Sequence, residues 1–195
     1  MERPRKYWEI VNPPPLVSFF FRRRTFFLLL CCAALMVVAR PQAWSFAVGL
    51  ILAALGAALR VWASGTLRKT RRLTTGGPYA WVRHPLYAGS FLLAVGYCFM
   101  SGRVESFVIG LPIFFLLHHN AVGVEEEILS KLYGEEYRRY CRRVPRYLPR
   151  GRPAPPTDGG GEFDWRQVAI NREHLNLIWV ALVCLFFAGR LMRAW

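Results

Sequence analysis

From Ala43 to Ala63 the chain reads AWSFAVGLILAALGAALRVWA, an apolar run broken by one charge, Arg60. Crossing a hydrocarbon layer as a helix takes about 20 such residues. Within lipid, a backbone satisfies its own polar groups only as a helix or a closed barrel. Four further runs have the same character: Phe19–Ala39, Pro85–Met100, Ser106–Gly123 and Leu175–Leu191. Arg22, Arg23 and Arg24 interrupt the first, so its span proper begins at Thr25. The first and third runs are short and borrow length from their flanks. The expected fold is all-α: a polytopic membrane helix bundle of about five transmembrane helices. No G-x-G-x-x-G motif occurs and there is no room for a doubly wound sheet, so a Rossmann domain is not expected.

The net charge of +14 calls for an anionic partner, and its distribution says which. Lys and Arg alternate between the segments joining the runs, 21 on one set and 4 on the other. This is the positive-inside pattern. It predicts an integral membrane protein with a cytoplasmic N-terminus, cytoplasmic segments 64–84 and 124–174, and a C-terminus on the far side. Basic segments beside a bilayer contact anionic lipid, so membrane lipids are the expected partners and nucleic acid is not. No cleavable signal is expected, because the first run follows a basic leader and exits at Arg40-Pro41. The five cysteines form no C-x-x-C pair; small buried hydrophobes are expected rather than a disulfide framework or a metal site.

The stretch PRGRPAPPTDGGGEFD, rich in Pro and Gly, reads as a linker over residues 149–164. It divides a core of four spans, residues 1–148, from an additional span in residues 165–195. After the fourth run, VEEEILSKLYGEEYRRYCRRVPRYLP places Leu129, Leu132, Tyr133 and Tyr140 on one face, as in a cytoplasmic amphipathic helix. Glu125 falls on the inward side of that helix and Glu127 on the outward side. Carboxylates suit a helix N-terminus, but an inward one beside a bilayer also calls for a cationic partner.

Three stretches together resemble the integral membrane methyltransferases typified by isoprenylcysteine carboxyl methyltransferase, with phospholipid methyltransferases as relatives. They are GGPYAWVRHPLYAG, the pair Glu125-Glu126 followed by Leu129 and Tyr133-Gly134, and EEYRRYCRRVPRYLP. The resemblance covers about Arg71 to Pro149. It implies S-adenosylmethionine as cofactor, in a cytoplasm-facing pocket between the R-H-P-x-Y segment and the post-membrane helix. A lipophilic acceptor would enter from the bilayer. The cofactor-binding residues it implies are Leu73, Thr74, Tyr79, Arg83, His84, Pro85, Leu86, Tyr87, Glu125 and Glu126. Their chemistry is compatible: Arg83 and His84 offer donors, the tyrosines offer ring faces to a sulfonium or adenine, and Glu125 can meet an ammonium. Trp81 reads rather as an interfacial anchor.

The chain departs from the family pattern at Ala121, where the eukaryotic enzymes carry an arginine four residues before the first glutamate. Candidates for that acceptor-holding role are His119 and Arg143, with Arg142 and Arg146 beside the latter. The histidines 118 and 119 equally suit contacts between helices. The functional expectation is methyl transfer to a membrane-embedded acceptor, as in isoprenylcysteine carboxyl O-methylation. A phospholipid amine N-methyltransferase, an NADPH-dependent lipid reductase using the basic stretch 68–72, and a membrane scaffold without activity are the alternatives.

Overall fold

A computed structural model describes residues 15–68, 73–155 and 161–193. Most of the basic stretch 68–72 and the middle of the linker, residues 156–160, lie outside the described residues. The elements are α1 (Pro15–Val38), α2 (Ala43–Thr66), α3 (Pro85–Ser101), α4 (Leu111–Arg143), α5 (Trp165–Ile170) and α6 (Glu173–Met192). A 3-10 turn at Gly77–Ala80 precedes α3 and a π turn at Ser106–Gly110 leads into α4. No strand occurs among the described residues. The protein is an all-α membrane bundle. Three of its helical stretches are long and apolar enough to cross a membrane, Ala43–Thr66, Ser106–Arg143 and Glu173–Met192; Thr25–Val38 and Pro85–Ser101 are shorter.

The bundle is built on the pairing of α2 with α3, and glycines set their separation. Each helix carries two glycines seven residues apart, Gly49 and Gly56 on α2, Gly89 and Gly96 on α3. A Cβ on Gly96 would lie 2.7 Å from the carbonyl oxygen of Gly49, and one on Gly56 would lie 2.7 Å from that of Gly89. Lipid tails leave little hydrophobic drive between helices, so close backbone approach through small residues does the packing. Replacing Gly96 with leucine forces backbone apart rather than a flexible side chain. A loss of about 1–3 kcal/mol is expected, read as a lowered thermal midpoint in detergent. Gly123→Ala, where a Cβ meets open space, is the matched control and should be neutral or slightly stabilising.

One apolar core runs through α1, α2, α3 and α6. Cys32, Ala39, Ala53, Leu93, Met100, Val183 and Phe187 are buried together. The C-terminal span therefore shares its packing with the helices that precede the linker. The chain around it is also pinned. Asp164 N–H donates to Gly65 O at 3.0 Å, Asn171 Nδ2 donates to Ser64 O at 2.8 Å, and the Phe163 ring lies against Gly65.

The fourth run and the amphipathic helix form one continuous element. From Leu111 to its kink α4 is about 35 Å long, beyond a hydrocarbon core of about 30 Å, so one end projects. It breaks at Gly134, whose φ of 50° and ψ of −119° no side-chain-bearing residue adopts without strain. That break turns Tyr137 and Tyr140 back toward the segment before α3.

Candidate functional site

Gly76 and Gly77 begin the site. Gly77 takes a φ of 57°, and Pro78 then opens the 3-10 turn that buries Tyr79. Arg83, His84 and Pro85 follow, with His84 at the N-cap of α3 and Pro85 at its first position, where the missing N–H costs nothing. Two clamps hold this loop against the end of α4. Tyr140 donates its hydroxyl to Tyr79 O at 2.7 Å, and Arg83 N–H donates to Pro145 O at 2.9 Å. On the other flank, Arg68 N–H donates to Thr74 Oγ1 at 3.3 Å.

The third clamp is ionic and centres on Glu126. Its Oε1 lies 3.1 Å from His84 Nε2 and 3.2 Å from Arg83 Nη2, and it forms a two-nitrogen ion pair with Arg146, which returns to it after α4 ends. His84 is only 4% exposed. Three basic groups from two loops thus share one carboxylate.

Between the loop and α4 lies a cavity of about 580 Å³. That is the range of small-molecule sites. Its wall takes Leu73, Thr74 and Tyr79 from the loop, Arg83 to Tyr87 from the R-H-P-x-Y segment, and Glu125 from α4. Those are nine of the ten residues expected at a cofactor. The tenth, Glu126, stands behind the wall and holds Arg83 and His84 in it. His119 and Arg143 are absent from this wall. His119 stacks on Phe115 and meets the Tyr147 hydroxyl at 3.3 Å, and Arg143 is exposed in the last turn of α4. Trp81 is 41% exposed, as suits an anchor. Ala121 is fully buried.

Several wall residues were not expected. His118 lines the cavity, stacked on Phe114 and edge-on to Tyr87. Tyr137 and Tyr140 reach it through the Gly134 break. Arg60 of α2, Ser90 of α3 and Asn176 of α6 complete it. Arg60 had a signal in the sequence, since a lone charge inside an apolar span is a site candidate in its own right.

Three polar groups of the wall have no partner among the described residues. The Tyr79 hydroxyl, Arg83 Nε and the Tyr137 hydroxyl are buried there and make no hydrogen bond. Burial pushes the Tyr79 phenol well above its ordinary pKa and the nearby charge of Glu125 adds to this, so the hydroxyl stays protonated as a neutral donor. Buried polar groups are nearly always paired. Three orphans in one cavity wall point to a polar guest.

Comparison with known proteins covers the stretch that carries most of this wall. Residues 44–136 match the phospholipid methyltransferase family. A protein-S-isoprenylcysteine O-methyltransferase of Mus musculus is 32% identical over 118 residues, which is 54% of this chain and 42% of the relative. The matched stretch is similar to the phospholipid methyltransferases and to the isoprenylcysteine methyltransferases. Other similar proteins differ in name. A nickel-cobalt-cadmium resistance protein of Alcaligenes xylosoxydans xylosoxydans is 32% identical over 105 residues, 53% of this chain and 47% of its own. A methanethiol S-methyltransferase of Crocosphaera subtropica is 37% identical over 71 residues, 36% of this chain and 27% of its own. The chain spans less than half the length of each of these relatives. No solved structure matches it.

Proposed function

We propose that the chain transfers a methyl group from S-adenosylmethionine to a lipophilic acceptor that reaches the site from the bilayer, in the manner of isoprenylcysteine carboxyl O-methylation. The observation that carries this reading is the convergence of the R-H-P-x-Y segment and Glu125 on one cavity that leaves Tyr79 OH and Arg83 Nε unpaired. The cofactor's functional groups match that wall. Glu125 suits its ammonium, Arg83 its carboxylate, and the rings of Tyr79 and Tyr87 its adenine or sulfonium. Once bound, it would supply an activated methyl group. The reading also sets the cavity, the N-terminus and segments 64–84 and 124–174 on the cytoplasmic side, with the C-terminus opposite.

The protein's part in such a transfer is positioning and electrostatics. Glu126 keeps Arg83 and His84 turned to the wall. Pro78 and Pro85 stiffen the segment between them, which lowers the entropy lost on closing around a ligand. The mouse isoprenylcysteine methyltransferase and the cyanobacterial methanethiol methyltransferase support the reaction class and differ in the acceptor they are named for.

Titration calorimetry on the full chain in nanodiscs tests the proposal. S-adenosylhomocysteine is expected to bind and NADPH is not. Glu125→Ala should weaken binding by about tenfold, the worth of one charge-assisted hydrogen bond. Folded protein that binds NADPH, or that binds no S-adenosylhomocysteine, overturns the reading.

A further inference from the structure

Arg60 is a charge inside an otherwise apolar helix, and an ion in that position must be compensated. Its partner comes from the far end of the chain. Nε and Nη2 form a paired bridge to Glu173 at 2.8 and 3.0 Å. Nη1 donates to Leu86 O at 3.3 Å and to Ser90 Oγ at 2.5 Å. Glu173 is the first residue of α6, is 4% exposed, and accepts a further bond from Asn176 Nδ2 at 2.8 Å.

This cluster sits where two chambers meet. Arg60 lines the 580 Å³ cavity. Ser90 and Asn176 line both that cavity and a second one of about 370 Å³. The second is walled mainly by apolar side chains of α1, α3 and α6, among them Cys31, Cys32, Leu93 and Trp179. A polar seam between a polar chamber and an apolar one matches a molecule with a polar end and an apolar tail.

We propose that Arg60 and Asn176, held in register by Glu173 and Ser90, seat the anionic end of a single-tailed amphiphile whose tail occupies the second cavity. Calling that amphiphile the methyl acceptor rests on the function proposed above; the seat itself does not. The balance of donors favours an anionic end. A guanidinium has five N–H donors, and the bonds above use four of them. The Asn176 amide retains a second N–H beyond the one given to Glu173. Both Glu173 oxygens are engaged by Arg60. The spare groups are N–H donors, and an ammonium end, itself all donor, cannot accept from them. Glu173 is a positioning residue here, and the C-terminal helix supplies half of the seat.

The experiment uses the natural thiols. Full-length protein in nanodiscs is treated with N-phenylmaleimide, and alkylation of Cys31 and Cys32 is followed by mass spectrometry with dodecanoic acid, dodecylamine or dodecanol present. The acid is expected to slow alkylation by about tenfold, and the amine and alcohol by under about threefold. Arg60→Gln should cancel the acid's protection. Asn176→Ala keeps the ion pair, should reduce that protection several-fold, and keeps the test open if Arg60→Gln does not fold. Equal protection by all three heads, or protection that survives both variants, overturns the proposal. S-adenosylhomocysteine binding is measured on the same samples. Binding without selective protection sinks the seat alone, and selective protection without binding sinks the methyltransferase reading alone.

Discussion

Glu126→Ala is expected to release the R-H-P-x-Y segment and to lower affinity for S-adenosylhomocysteine by at least about a hundredfold. Arg83, His84 and Arg146 all converge on this carboxylate. Removing it leaves Arg83, 14% exposed, with an uncompensated charge beside a buried histidine. Breaking a buried pair from one side costs about 3–5 kcal/mol. Arg146 is 36% exposed and recovers part of its share from water, so about 3 kcal/mol is the reasonable figure. That corresponds to roughly two powers of ten in an equilibrium constant. Glu127→Ala is the neighbouring control. Glu127 is half exposed and, among the described residues, bridges Lys131 in an i,i+4 surface pair. Its loss should stay within about 0.5 kcal/mol. Calorimetry of the two variants with the same ligand makes the comparison, and similar affinities for both would show that Glu126 does not organise the site.

The second large effect is expected at Gly134. No atom lies within 4 Å of a Cβ placed there, so Gly134→Ala meets no steric neighbour. The cost is in the backbone alone, about 1–3 kcal/mol for a conformation with φ of 50° and ψ of −119°. The chain can escape that strain by continuing α4 as a regular helix. Doing so would swing Tyr137 and Tyr140 out of the cavity wall and break the Tyr140 hydroxyl bond to Tyr79 O. The expected result is a thermal midpoint lower by about 5 °C, together with loss of S-adenosylhomocysteine binding while helix content by circular dichroism holds or rises. A variant that binds like the parent would mean the break is incidental to the site.

Much of this site is readable along the chain because its parts are local. Gly76, Gly77, Pro78 and Pro85 specify a turn and a helix start by backbone chemistry, and they carry Tyr79, Arg83 and His84 with them. Glu125 was assigned inward by helical phase, and it lines the cavity. Phase could not do as well for its neighbours. Adjacent helix positions differ by about 100°, so packing decides which of His118 and His119 faces inward. His118 does, in the groove beside Tyr87, while His119 pairs with Tyr147. Glu126 owes its part to Arg146, which is brought back to it only because α4 ends at Arg143 and the chain folds over it.

Apolar runs, their lengths and the alternation of basic segments are properties of windows of about 20 residues, and the solvent reads them without reference to the rest of the chain. They were enough to specify an all-helical membrane bundle and the turn at its edge. The bridge from Arg60 to Glu173 joins positions 113 residues apart. No local preference encodes it, and each residue alone looks like a misplaced charge. Only the packing of α6 beside α2 and α3 brings the two together, because a carboxylate and a guanidinium removed from water are stable there only as a pair.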